Sequence, residues 1–152
     1  MEVDVRATAA GAPPPARVRR LLSRAARAAR TRGSGVSVLF CADARMRTLN
    51  RRWRGKDRST DVLAFPAGGA APGFLGDIVV SVPYAAREAR RRREPAAREV
   101  DRLLVHGLLH LMGYDHETDD GEMDALEGKV RRHLSIADPP SAAGERRKKG
   151  RR

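Results

Sequence analysis

The chain has 152 residues and carries 31 Lys and Arg against 19 Asp and Glu, a formal charge of +12. This length suits one domain with a real core and is short for two. No run of 18 or more apolar residues occurs, which excludes a membrane-spanning helix. A positive surplus of this size disfavours a small acidic or neutral metabolite as the natural partner and favours a polyanion, nucleic acid first.

Residues 1–6 alternate with Val3 and Val5 on one side, which predicts a first strand and does not have the basic-then-apolar layout of a signal peptide. After a proline-rich loop (7–14), residues 15–30 place Val18, Leu21, Leu22 and Ala25 on one helical face. The run 33–35, Gly-Ser-Gly, breaks that helix. Val36 to Phe40 is the clearest strand in the chain. Asp43 is placed to cap a helix over 44–53, with Met46, Leu49 and Trp53 as its apolar stripe. A polar turn (54–58) leads to a strand at 60–66, stopped by Pro66. Residues 67–73 form a small-residue loop before a further strand at 76–81.

Pro83 suits the start of a strongly basic helix over 84–93. Pro95 suits the start of the next, 96–112, whose buried stripe is Val100, Leu103, Leu104, Leu108 and Leu111. Asp119 with Glu122 resembles a capping box for a last helix with Met123, Leu126, Val130 and Leu134 inward. About four strands among four or five helices predict an α+β or mixed α/β domain on one sheet. The domain is expected to span 1–137. Residues 138–152 are expected to be a disordered basic tail, since 144–152 hold six basic residues against Glu145. Cys41 stands alone, so no disulfide forms within the chain; core packing is its expected role, and a reducing, cytoplasmic setting follows.

The chemistry concentrates in one segment. Residues 106–116 read H-G-L-L-H-L-M-G-Y-D-H and contain three of the four histidines. His106 and His110 are four apart and stack one turn above the other on a helix. Gly113 suits the end of that helix, and His116 then comes back on the returning chain. Three imidazoles with a fourth position open are the catalytic pattern for zinc, and a single Zn2+ is the expected cofactor. Such an ion acidifies water and polarises a carbonyl or phosphoryl oxygen, which predicts hydrolysis or phosphodiester cleavage. A zinc protease of the H-E-x-x-H type needs glutamate where this chain has Gly107, so peptide hydrolysis lacks its general base.

Asp115 precedes the third histidine and is a candidate to orient an imidazole or handle a proton; a simple turn-forming role is equally open. Glu117 is a weaker candidate. His133 has no partner at ligand spacing and reads as a surface residue at a helix end. Arg54 lies on a loop able to overhang a cleft, where a guanidinium matches phosphate. Thr60 and Asp61 read mainly as a strand-start pair.

These motifs together resemble the YbeY family of bacterial endoribonucleases. The histidine segment is similar to that family's H-G-x-L-H-L-x-G-Y-D-H. The run L-N-R-R-W-R-G-K-D-R-S-T-D-V-L-A-F-P from Leu49 to Pro66 resembles its L-N-x-x-(Y/W)-R-x-K-D-x-P-T-D-V-L-S-F-P. Leu75 to Ser81 resembles its L-G-D-I-x-I-S strand. The likeness covers about 36–134; Ser59 stands for the usual proline and Ala64 for the usual serine, and the 67–73 loop is less acidic than the pattern. The basic tail lies outside it.

The resemblance implies a mostly parallel four-stranded sheet packed with about five helices, with a three-histidine metal site at a cleft. It implies a zinc-dependent single-strand endoribonuclease acting in 16S rRNA 3′-end maturation and ribosome quality control. Its partners would be ribosomal RNA and the small ribosomal subunit. Zinc would sit on His106, His110 and His116; Arg54 and His110 would be catalytic, with Arg54 on an RNA phosphate. Arg87, Arg90 and Arg91, on the basic helix, are expected along the RNA backbone. Two other readings use the same residues: a non-catalytic ribosome-assembly factor with a structural metal, and a generic zinc hydrolase.

Overall fold

Apolar residues alternate along the strand segments, and that alternation gives the sheet two buried faces. A computed structural model describes residues 1–69, 71–115 and 117–138. Its strands are β1 (Glu2–Ala7), β2 (Gly35–Cys41), β3 (Val62–Pro66) and β4 (Phe74–Ser81). Its helices are α1 (Pro15–Ala28), α2 (Asp43–Arg54), α3 (Val82–Arg91), α4 (Ala96–Leu111) and α5 (Glu122–His133). The sheet runs β1-β2-β4-β3, with β1, β2 and β4 mutually parallel and β3 antiparallel to β4. This is the α+β, mostly parallel sheet that the resemblance implies.

Successive strand residues point to opposite faces. On one face Val3, Val36, Val38, Phe40, Ala64, Ile78 and Val80 join residues of α1, α3, α4 and α5 in the main core. On the other, Cys41, Leu63 and Val79 pack with Met46 of α2. Burial pushes the Cys41 thiol up from its ordinary value, so it is a packing residue there. Helix α4 is central: it lies against β3, β4, α1, α3 and α5. Leu104, Leu108 and Leu109 of α4 are fully covered or nearly so, each stabilising the fold by about 1.5–3 kcal/mol.

The structure corrects several local expectations. Asp43 is the first residue of α2 rather than its cap, and Ala42 holds the cap position without a side-chain bond. Trp53 does not join the apolar stripe: it is 60% exposed, its ring edge-on to Phe65 at 6.3 Å and under the Arg52 guanidinium at 5.2 Å. Strand β3 starts at Val62, two residues late, because the Asp61 carboxylate accepts the Val62 N–H at 2.7 Å. Strand β4 starts two residues early, since Phe74 already pairs with Gly35. Gly121, not Asp119, occupies the cap of α5, although Asp119 accepts the Gly121 and Met123 N–H groups at 2.8 and 2.9 Å. Ile136 and Asp138 follow α5, and Asp138 pairs with Arg131 at 3.3 Å. The rest of the expected tail, 139–152, lies outside the described residues.

Candidate active site

Helix α4 meets the sheet closely at Gly107. A Cβ built there would stand 2.9 Å from Ile78 Cγ2 and 3.2 Å from its Cγ1. A side chain there would crowd Ile78, so the position a protease fills with glutamate here faces the sheet. The same seating turns His106 and His110, one residue before and three after, away from the sheet and to the edge of the buried stripe. Both are half-buried. Their rings meet edge-on, centroids 4.6 Å apart, with the two Nε2 atoms 3.1 Å apart. On its other side, His106 Nδ1 lies 3.3 Å from Glu127 Oε2 of α5.

The two histidines line a cleft of about 310 Å³ together with Arg54, Lys56, Arg58, Asp115 and Glu117. Thr60, Ala64 and the buried Asn50 also contribute to its lining. The basic wall is built by the end of α2. Gly55 stops that helix at φ +69, a left-handed conformation costly for other residues, and the chain turns to carry Lys56 and Arg58 beside Arg54. Asn50 Nδ2 donates to the Arg58 carbonyl at 2.9 Å, and the Lys56 N–H donates to the Asn50 carbonyl at 3.3 Å. Outside, Arg47 donates to both Asp57 carboxylate oxygens at 2.9 and 3.1 Å. Arg54 itself donates through Nη2 to the Ala64 carbonyl at 2.9 Å, and its guanidinium lies 5.9 Å from the Phe65 ring centre. One edge of the fork is thereby fixed, and the residue remains exposed to solvent.

Of the residues singled out in the sequence, Arg54, His106, His110, Asp115 and Glu117 share this cleft. His116 lies outside the described residues. The Asp115 carboxylate accepts the Glu117 N–H at 3.0 Å, and its carbonyl accepts the Thr118 and Asp119 N–H groups at 3.2 and 3.1 Å. It therefore serves as a turn-former as well as a cleft residue. Arg87, Arg90 and Arg91 do not line the cleft. Arg87 donates to both oxygens of Asp43, at 2.7 and 3.1 Å, and Arg91 pairs with Glu88 at 2.5 Å. Arg87, with smaller contributions from Ser59 and Ser81 against the opposing effect of burial, holds the Asp43 carboxyl down to about 2. His133 ends α5 and is exposed. Lys56, Arg58, Asn50 and Glu127 carried no site signal in the sequence. The first two were part of a turn, and Glu127 stands 21 residues from its histidine on another helix.

The described donors fit a nitrogen-ligated ion. Two nitrogens each ~2.0–2.1 Å from a tetrahedral zinc stand roughly 3.3 Å apart, and the two Nε2 atoms are separated by 3.1 Å. Among the described residues, no group of three or more His, Cys, Asp or Glu side chains is arranged to hold a metal. The pair on α4 is what this part of the chain offers.

Comparison with known proteins agrees with these features. A family model described as endoribonuclease YbeY matches residues 15–137. Endoribonuclease YbeY of Bradyrhizobium diazoefficiens is 46% identical over 114 residues, covering 68% of this chain and 62% of that protein. Endoribonuclease YbeY of an Anaeromyxobacter species is 46% identical over 120 residues, covering 71% of this chain and 62% of its own length. The chain thus spans less than two thirds of those relatives. A solution structure of a Thermotoga maritima protein superposes with a TM-score of 0.60 at 25% identity, covering 97% of this chain and 93% of the other.

Proposed function

This chain belongs to the endoribonuclease YbeY family, and from that premise we propose that it is a zinc-dependent single-strand endoribonuclease of 16S rRNA 3′-end maturation and ribosome quality control. One observation carries the reading: a single cleft holds the facing imidazoles of His106 and His110 together with Arg54, Lys56 and Arg58. Cations beside a metal-ligand pair suit a phosphodiester better than a peptide, which offers no anion to bind. The zinc ligands are His106, His110 and His116. Bound there, the ion supplies Lewis-acid polarisation of a phosphoryl oxygen.

The chain's own groups do the rest. Arg54, anchored on the Ala64 carbonyl, keeps N–H donors for a non-bridging phosphate oxygen and stabilises the charge that grows there during cleavage. Lys56 and Arg58 hold neighbouring phosphates as point charge and fork. Asp115 and Glu117 are the cleft carboxylates; one of them takes the proton of the attacking hydroxyl as its oxygen bonds to phosphorus, and the leaving oxygen is protonated from solvent as its bond to phosphorus breaks. Arg90 of α3 is exposed and draws the RNA backbone at longer range; Arg87 and Arg91, paired with Asp43 and Glu88, contribute less. Ribosomal RNA in the small subunit is the partner, in the cytoplasm. None of the described helices is long and apolar enough to cross a membrane.

The test is direct. Purified protein is assayed for bound zinc and incubated with a single-stranded RNA carrying the 16S 3′ end, beside a peptide substrate. Cleavage of the RNA alone, lost in Arg54→Ala and His110→Ala variants that melt like the wild type, supports the enzyme. Intact RNA with zinc-loaded wild type overturns it.

A further inference from the structure

We propose that Glu127 is a positioning residue, fixing the ring of His106 so that Nε2, and not Nδ1, offers its lone pair to the cleft. The inference rests on the reading of His106 as a zinc ligand.

Glu127 sits four residues after Met123 and three before Val130, both fully buried, so it belongs to the inward stripe of α5. Its side chain is only 12% exposed. A carboxylate placed among apolar neighbours costs free energy unless it is hydrogen-bonded, and Oε2 lies 3.3 Å from His106 Nδ1. An ionised carboxylate can only accept, so this contact requires the proton on Nδ1. A neutral imidazole then has its lone pair on Nε2, the atom 3.1 Å from His110 Nε2. The geometry agrees: with Nδ1 turned to Glu127, Nε2 is the ring nitrogen that faces His110 across the cleft floor. A carboxylate behind a ligating imidazole also raises its basicity toward a metal.

Two variants test this, Glu127→Met and Glu127→Gln. Methionine keeps the length, suits an apolar stripe and a helix, and removes the acceptor; glutamine restores an acceptor without the charge. The first readout needs no metal. Imidazole 15N NMR on metal-free protein reports which nitrogen of His106 carries the proton. Wild type is expected as the Nδ1–H tautomer, Glu127→Met as a mixture or the Nε2–H form, and Glu127→Gln as a partial return to wild type. The second readout is zinc affinity by competition with a chromophoric chelator, expected to fall about 10–100-fold in Glu127→Met and less in Glu127→Gln. Unchanged tautomer and unchanged affinity in Glu127→Met overturn the proposal, as does a loss of melting temperature alone. If wild type takes up no zinc, the metal reading of the cleft falls, and the tautomer measured in the same sample still decides whether Glu127 holds His106.

Discussion

Helix α4 carries two polar clusters that end in opposite ways. In its first half, Glu99 and Arg102 are buried and closed on each other: Arg102 Nη2 donates to Glu99 Oε2 at 2.8 Å and also to Glu94. Its Nη1 reaches the Ala137 carbonyl at 3.2 Å, and Arg92 adds a second cation to Glu99 at 2.7 Å. In its second half, His106 and His110 point their nitrogens at one another across the floor of an open cleft. The first cluster matches donors to acceptors with no face left for a ligand; it ties the α3–α4 turn and the chain after α5 to the central helix. The second presents two atoms of the same kind, which a proton or a cation between them can satisfy. In this helix the reachable cluster lines the cleft, while the closed one lies in the interior. The Arg102 cluster is a joint between segments.

Substitutions can break that contrast from either end. The largest stability loss is expected in Arg102→Ala, which leaves the buried Glu94 carboxylate without its cation and Glu99 with Arg92 alone, and costs about 3–5 kcal/mol. Urea unfolding measures it, and RNA cleavage per folded molecule should be unchanged. Arg54→Ala should do the reverse: cleavage drops about 100-fold or more, while the unfolding free energy in urea falls by less than about 1 kcal/mol because the residue is exposed. An Arg54→Ala protein that unfolds early would mean its anchor on Ala64 is structural. Gly107→Ala should cost about 1 kcal/mol net, crowding against Ile78 outweighing the gain in helix propensity.

The smallest effect concerns Asp43. Its carboxyl is depressed to about 2, so it contributes stability that is fully present above its unfolded value near 4 and lost as pH falls through 2. Asp43→Asn should unfold more easily than wild type at pH 7, with the gap closing between about pH 4 and 2. Solvent around the half-exposed pair with Arg87 keeps the effect modest. A gap that persists at pH 2 would locate the contribution in packing. Separately, RNA affinity should fall steeply with salt, and removal of residues 144–152 should flatten that slope while cleavage remains.

The elements themselves were legible because each carries its own period. Val3 and Val5, then Val36, Val38 and Phe40, and the 100–111 stripe all fall in the main core or pack against it. Ends were less so, because they depend on partners far away. Asp43 looked like a cap by position, but Ser59, Ser81 and Arg87 converge on it from three other segments. Trp53 had the right spacing for the core of α2, yet only a short length of that helix rests on β4. In the cleft, His106 and His110 were legible from residue chemistry and spacing, and Arg54 chiefly through the family resemblance. Glu127 was not, since nothing within its own helix distinguishes an acid that faces a histidine from one that faces water. Lys56 and Arg58 were hidden among many other basic residues until the fold placed them.

The close seating of α4 at Gly107 has a mechanical consequence. The histidine floor cannot yield toward the sheet, because Ile78 already occupies the space a retreating helix would need. The opposite jaw is held differently: the 54–58 turn hangs from α2 by Asn50 inside and by the solvent-exposed Arg47–Asp57 pair outside. One side of the cleft works as an anvil and the other as an adjustable clamp. Raised ionic strength loosens only the clamp, weakening the grip on phosphate while leaving the spacing of the two imidazoles intact.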